Sequence, residues 1–218
     1  MELVRYLFDN FYTKNQLLDK ANVDEGRLLE LQDLEVMPRA SYSLEISIQC
    51  DSFFGAYEAS ENSEFYSRGY LSWVNILLSL EKVEDAKQIF KDRYCQQLES
   101  LREDGIYSNN PKLNSELELT LDSEWKYFLD GTYGLCTKNG LPEQIASKEI
   151  SILIASDFLD CGLIDGQGRK KLIKIIDLLD DVSSYFAPHE RASSSRQKYI
   201  NELRLRYDLI SLSGKGNP

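Results

Sequence analysis

The sequence predicts a mainly α protein: an N-terminal helix-turn-helix-like module with a short β strand or hairpin, packed on an all-helical body. Three observations carry this. From Glu64 onward apolar residues recur at three- and four-residue steps, the period of helices with one buried face. Over Tyr42–Cys50, by contrast, Tyr42, Leu44, Ile46 and Ile48 alternate with Ser43, Glu45, Ser47 and Gln49, as in a half-buried strand. Two short helical patterns precede that strand, with Thr13 placed to cap the first, to about Lys20, and Asp24 the second, through Leu34. Ala21-Asn22-Val23 makes the turn between them and Pro38 closes the pair.

The elements follow in order. Leu3, Val4, Leu7, Phe8 and Phe11 form a helical stripe over residues 2–12. After the strand, Ser52–Ser63 is small, acidic and broken by Gly55, and reads as a linker between a module over 1–52 and a helical domain over 64–212. Within that domain helices are predicted over Phe65–Leu80, Val83–Arg102 and Leu113–Leu129, with a turn-rich loop at Gly105–Pro111. Asp130–Gly140 is a loop with three glycines, which permit positive-φ turns or close backbone approach. Pro142 suits the first turn of the next helix, to Leu159, because its missing N–H has no partner there. That helix is apolar almost all round and is expected to be central and buried, with Gln144, Ser147, Lys148 and Ser151 as its polar stripe. Asp165–Gly168 is a tight connector, Arg169–Phe186 and Arg196–Leu212 are the last helices, and residues 213–218 are a disordered tail.

The 218 residues carry a formal charge of −11, which weighs against nucleic acid or an anionic membrane as partner. No apolar run approaches the roughly 20 residues that span a bilayer, and the N-terminal residues lack the pattern of a signal peptide. A cytoplasmic location is expected. Cys50, Cys95, Cys136 and Cys161 lie 45, 41 and 25 residues apart, and there is a single histidine, His189. That spacing suggests free thiols rather than a zinc site. No cofactor and no metal are expected.

Candidate site residues gather on the segment that joins the 113–129 helix to the 142–159 helix: Trp125, Tyr133, Gly134, Cys136, Lys138 and Glu149. Lys138 and the following helix start would lower the thiol pKa of Cys136, and a pairing with His189 would make a nucleophile, although an idle cysteine is the simpler account. Glu149 falls on an otherwise apolar strip between Ile145 and Ile152. It needs either a raised pKa, and so a catalytic part, or a basic partner from the Arg191–Tyr207 segment. That segment is expected beside the acidic 116–124 face, or else bound to a phosphate or an acidic partner. Asp177, Asp180 and Asp181 share a face that could hold Mg²⁺, though such carboxylates more often form a solvated face. Gly134 is expected to serve the loop's conformation, so that Gly134→Val would alter the loop and leave the body folded.

The paired helices followed by Met37-Pro38 and Ser41-Tyr42 resemble the winged helix-turn-helix of mercury-resistance-type transcription regulators, over about residues 12–45. The resemblance implies DNA binding, but the would-be recognition helix, Asp24–Leu34, has four acids and one Arg, and residues 1–45 carry nine acids against five bases. A groove reader normally brings Lys and Arg. Over most of the chain, the Phe-Tyr-Thr start, Ser67–Tyr70, Phe128–Thr137 and Ala146–Glu149 resemble an uncharacterised bacterial natural-product biosynthesis family that includes the chaperone-like accessory protein of indolmycin (oxazolinone antibiotic) biosynthesis. This implies an accessory protein that binds and assists an ATP-dependent ligase or its intermediate. It assigns no catalytic residue. The alternatives are a small-molecule-modifying enzyme using residues 130–149 and a degenerate helix-turn-helix regulator.

Overall fold

A computed structural model describes residues 2–159 and 161–209; the expected tail, 213–218, and the last residues of the Arg196–Leu212 helix lie outside them. The protein is mainly α-helical, with one three-stranded antiparallel sheet. Its residues divide into two compact units, each built from two stretches of chain. The first takes residues up to 89 together with 123–141, and the second takes 90–122 together with the residues from 142 on. No helix among the described residues is long and apolar enough to cross a membrane.

The first unit opens with α1 (Glu2–Asn10), β1 (Phe11–Thr13), α2 (Lys14–Ala21) and α3 (Glu25–Asp33). Thr13 caps α2 in a reciprocal capping box with Gln16, and Asn22 ends it in the left-handed conformation, so two orphan N–H groups are satisfied by residues three apart. Asp24 caps α3 by accepting from the Arg27 N–H at 2.7 Å. Leu17, Leu28 and Leu31 of this pair are buried, each contributing about 1.5–3 kcal/mol of hydrophobic stabilisation.

The chain then forms β2 (Tyr42–Ser52) and β3 (Gly55–Ser67), in the sheet order β1-β3-β2. Here the structure corrects the sequence reading. Residues 52–63 are not a linker but the turn and most of the second strand of a long hairpin, paired in register from Tyr42↔Phe65 to Ser52↔Gly55. Phe65–Ser67, expected as the start of a helix, ends β3 against β1, and α4 is shorter, Tyr70–Ser79. In the sheet Phe65 lies between Thr13 of β1 and Tyr42 of β2, Tyr66 pairs with Tyr12 of β1, and both side chains are buried.

The chain passes between the units within α5 (Ala86–Glu103) and α6 (Leu117–Leu129). The second unit is completed by α8 (Pro142–Leu159), α9 (Gly166–Val182), a π-helical turn at Gln197–Asn201 and α10 (Glu202–Arg206), while α7 (Thr132–Cys136) belongs to the first. Helix α8 has the expected bounds and is buried along much of its length. Its polar stripe, however, is not the solvent face: Ser147, Lys148 and Ser151 are buried. Ser147 and Ser151 donate to the carbonyls of Glu143 and Ser147 at 2.8 and 2.6 Å, so their hydroxyls are satisfied within the helix itself. The Lys148 ammonium lies 5.2 Å from the Phe186 ring centroid. Ile150 and Ile154 of α8 join Leu172, Ile175, Ile176 and Leu179 of α9 in this unit's core.

The basic C-terminal segment has a different partner from the one expected. Arg196 and Arg204 converge on Asp180 of α9, at 2.5 and 2.8 Å, and Arg204 also reaches Asp177 at 3.2 Å. The acidic face of α6 instead takes Lys91, at 3.0 Å from Glu118 and 3.1 Å from Asp122. Burial pushes the Asp180 carboxyl up, but Arg204 and Arg196 outweigh it and hold the pKa below the ordinary carboxylate value. A depressed folded-state pKa contributes stability that is present above the unfolded value and lost as pH falls through the folded one. Urea midpoints should therefore fall as pH drops below about 4, and Asp180→Asn should lower stability at neutral pH while flattening that decline. An unchanged acid slope in the variant would mean that Asp180 carries none of it.

Candidate functional site

The segment from Asp130 to Leu141 is held by its own short-range bonds. The Asp130 carboxylate accepts from the Thr132 N–H at 2.9 Å, and Gly131 has φ +86°, which starts the short helix α7 where only a loop was expected. Thr137 Oγ1 donates to the Tyr133 carbonyl at 2.7 Å and accepts from the Gly140 N–H at 2.8 Å. Asn139 Oδ1 accepts from the Leu141 N–H at 2.9 Å.

Gly134 is buried and its φ is not positive. What it needs is space. A Cβ there would lie 2.1 Å from Ser41 Oγ, 2.7 Å from Tyr70 Oη and 3.0 Å from Ser67 Cβ. The glycine thus serves close packing of α7 on the start of α4 and the base of the hairpin, so Gly134→Val, expected to leave the body folded, would instead force these elements apart. Burial of Tyr70 raises its phenol pKa well above the ordinary value, so its hydroxyl stays neutral in this contact.

Trp125 is 6% exposed. Its ring centroid lies 5.5 Å from Phe128 and 6.2 Å from Trp73, within an aromatic core that also packs Tyr70 on Phe128 at 5.9 Å. It is a packing residue. Tyr133 is half-buried, donates its hydroxyl to the buried Glu124 carboxylate, and meets Tyr127 edge-on at 6.4 Å. Cys136 is half-buried and Lys138 is exposed. His189, on an exposed turn, has Glu190 Oε1 3.8 Å from its Nε2.

Residues 86–208 match a family of unknown function, DUF6058. The chain belongs to that family. The matched span contains all six candidate residues, from Trp125 to Glu149, and leaves out the β2–β3 hairpin. No curated protein and no solved structure matches the chain.

Within the family span, Glu149 belongs to the second unit, whereas the other five candidates belong to the first. Its side chain is 22% exposed, and the nearest cation is Lys112 Nζ at 3.9 Å. The C-terminal arginine pair expected for it is engaged with Asp177 and Asp180 instead. A shallow depression in the same unit, lined by Leu98, Arg102, Ile106, Tyr107, Leu113 and Ile150 among others, has room for about one water molecule, far less than a small-molecule site needs. Among the described residues, no three His, Cys, Asp or Glu side chains cluster as metal ligands would.

The sequence reading missed the most exposed apolar feature of the first unit, the outer half of the hairpin. Phe53 and Phe54 are 97% and 96% exposed at its turn, and Tyr57 is 62% exposed. The signal was present in the alternation that runs on to Cys50, followed by Phe-Phe-Gly and a second extended stretch. On α3, Leu29 is exposed beside Glu25, Glu30 and Asp33, and Arg27 is paired with Glu30 at 2.6 Å.

Proposed function

We propose that the protein is a chaperone-like accessory component of antibiotic or other natural-product biosynthesis, acting by binding a partner enzyme, an ATP-dependent ligase, or its intermediate. The observation that carries the binding role is the exposed hairpin turn: two phenylalanines almost wholly in solvent at the end of a folded, paired ribbon. Contiguous exposed apolar surface of this kind marks interaction sites in soluble proteins. The resemblance of Ser67–Tyr70, Phe128–Thr137 and Ala146–Glu149 to the biosynthetic accessory family supplies the class of partner. Packing supports this reading over catalysis at 130–149, because Trp125 and Gly134 are absorbed into the core of their unit. The acidic exposed face of α3 weighs against DNA as the partner.

The test is a titration into the partner ligase reaction. An accessory protein that shields an intermediate or holds the ligase closed should raise the yield of correct product up to about one chain per ligase. An enzyme acting on the released intermediate would suffice at a small fraction of that ratio. Glu149→Gln and Cys136→Ser are each expected to leave the effect at full stoichiometry unchanged. For Glu149→Gln the stability cost should stay below about 1 kcal/mol, as for a long, partly solvated ion pair. Loss of product formation in either variant while it remains folded would favour the enzymatic reading.

A further inference from the structure

The β2–β3 hairpin is an amphipathic ribbon. Its register places Ile48 opposite Ala59 and Cys50 opposite Tyr57. Residues directly opposite in an antiparallel pair share a face, so these four side chains make one apolar stripe leading to Phe53 and Phe54. The other face of the outer half has Gln49 opposite Glu58 and Asp51 opposite Ala56, and all of these residues are exposed. Both edges of this half are open, since β1 pairs with β3 only through residues 65–67 and β2 is the outer strand.

Nothing in the turn itself calls for phenylalanine. Two-residue hairpin turns favour Asn-Gly or Asp-Gly; here the positive φ falls on Gly55, at +113°. Ser52 Oγ closes the turn by accepting from the Phe54 N–H at 3.2 Å. The two rings contact each other edge-to-face, with centroids 5.4 Å apart, and bury almost none of their surface. Each ring therefore forgoes about 1.5–3 kcal/mol that burial would supply. The charge is equally one-sided: residues 40–67 contain Glu45, Asp51, Glu58, Glu61 and Glu64 and no Lys, Arg or His.

Building on the partner-binding reading above, we propose that the outer half of the β2–β3 hairpin is a docking arm for another protein, its two phenylalanines entering an apolar groove rimmed by Lys or Arg. Asp51 and Glu58, the acids of that outer half, select the rim, whereas Glu64 at the base is paired with Lys14 at 3.1 Å. The same charge disfavours an anionic bilayer, which would repel the arm, and a second copy, which would bring an equally acidic arm against it. Aromatic anchors at the centre and opposite charges at the edge are the arrangement in which a small contact gains both affinity and orientation.

The test uses the full chain with a photoreactive benzoylphenylalanine in place of Phe54, irradiated in its native host. The crosslinked peptide is sequenced, and binding of the purified, crosslinked protein to unlabelled wild type and variants is then measured by calorimetry. The expected crosslink falls in a different protein, on an apolar peptide with Lys or Arg beside it. Phe53→Ser with Phe54→Ser should weaken binding at least about ten-fold, as for anchor residues. Asp51→Lys with Glu58→Lys should weaken it with a reduced salt dependence. Both pairs lie on exposed positions, so circular dichroism should be unchanged. A crosslink to a second copy with dimeric mass overturns the proposal. So does flotation of the wild type with phosphatidylcholine or phosphatidylcholine/phosphatidylglycerol vesicles, or binding indifferent to charge reversal. A ligase that is still assisted by the Phe53→Ser, Phe54→Ser variant would leave the accessory role standing and remove the arm. Absence of any stoichiometric effect on the ligase would remove that role while leaving the crosslink result intact.

Discussion

Gly134→Val should destabilise the first unit by at least about 3 kcal/mol, beyond the usual range for one added group in a packed core because three new carbons enter at once. The first of them already meets Ser41 Oγ at 2.1 Å and Tyr70 Oη at 2.7 Å. Ser41 can rotate its hydroxyl away, but Tyr70 is fully buried against Phe128 and has no such freedom. Urea denaturation followed by circular dichroism measures the loss. Gly134→Ala in a Ser41→Ala background should recover part of the loss seen with Gly134→Ala alone, because the closest contact is then gone. A Gly134→Val protein as stable as wild type would show that α7 can move off the hairpin base at no cost.

Trp73→Ala should be comparably severe. Trp73 is fully buried, lies 4.9 Å from Phe128 between ring centroids, and donates its indole N–H to the Val36 carbonyl at 2.9 Å. Removing so large a buried ring costs about 3–5 kcal/mol. Trp73→Phe separates the two contributions. It keeps most of the ring packing and leaves the carbonyl unpaired, at a cost of about 1–3 kcal/mol. The protein has two tryptophans, so Trp125 remains as a fluorescence reporter in both variants. If Trp73→Phe were as damaging as Trp73→Ala, the hydrogen bond rather than the volume would hold the Val36–Met37 turn on α4.

The parts of the fold that could be read from the sequence are those fixed by short-range chemistry. Thr13, Asp24 and Pro142 act within one turn of the residues they serve, so their positions mark helix starts directly, whereas Asp165, read as part of a connector, caps a helix that starts at Gly166 rather than Arg169. The second strand of the hairpin was not legible for the opposite reason. Alternation appears in a sequence only when one face is buried, and Ala56–Glu58 and Ser60–Asn62 are exposed on both faces. Phe65, Tyr66 and Tyr70 then looked like one helical stripe, although a strand ends and a helix begins between them. At the candidate site, glycine content alone could not distinguish a mobile loop from a packed joint. The distinction lies in Ser41 and Tyr70, far away in sequence. The partners of Arg196 and Arg204 were hidden likewise, since a charge count does not say which acidic face a helix meets.

The interleaving of the two units also has a temporal side. The first unit lacks Trp125, Phe128 and Gly134 until the ribosome has added about 50 residues beyond position 89, roughly 3–10 s of synthesis at ordinary rates. Through that interval Trp73 and Tyr70 have no ring to pack on from α6, and the phenylalanine-tipped hairpin has already been made. A fragment cut to the family's matched boundaries, 86–208, would reverse the deficit, carrying Trp125 and Phe128 without Trp73. The first unit is complete in sequence once residue 141 has been made, while the second still waits for everything from 142 on.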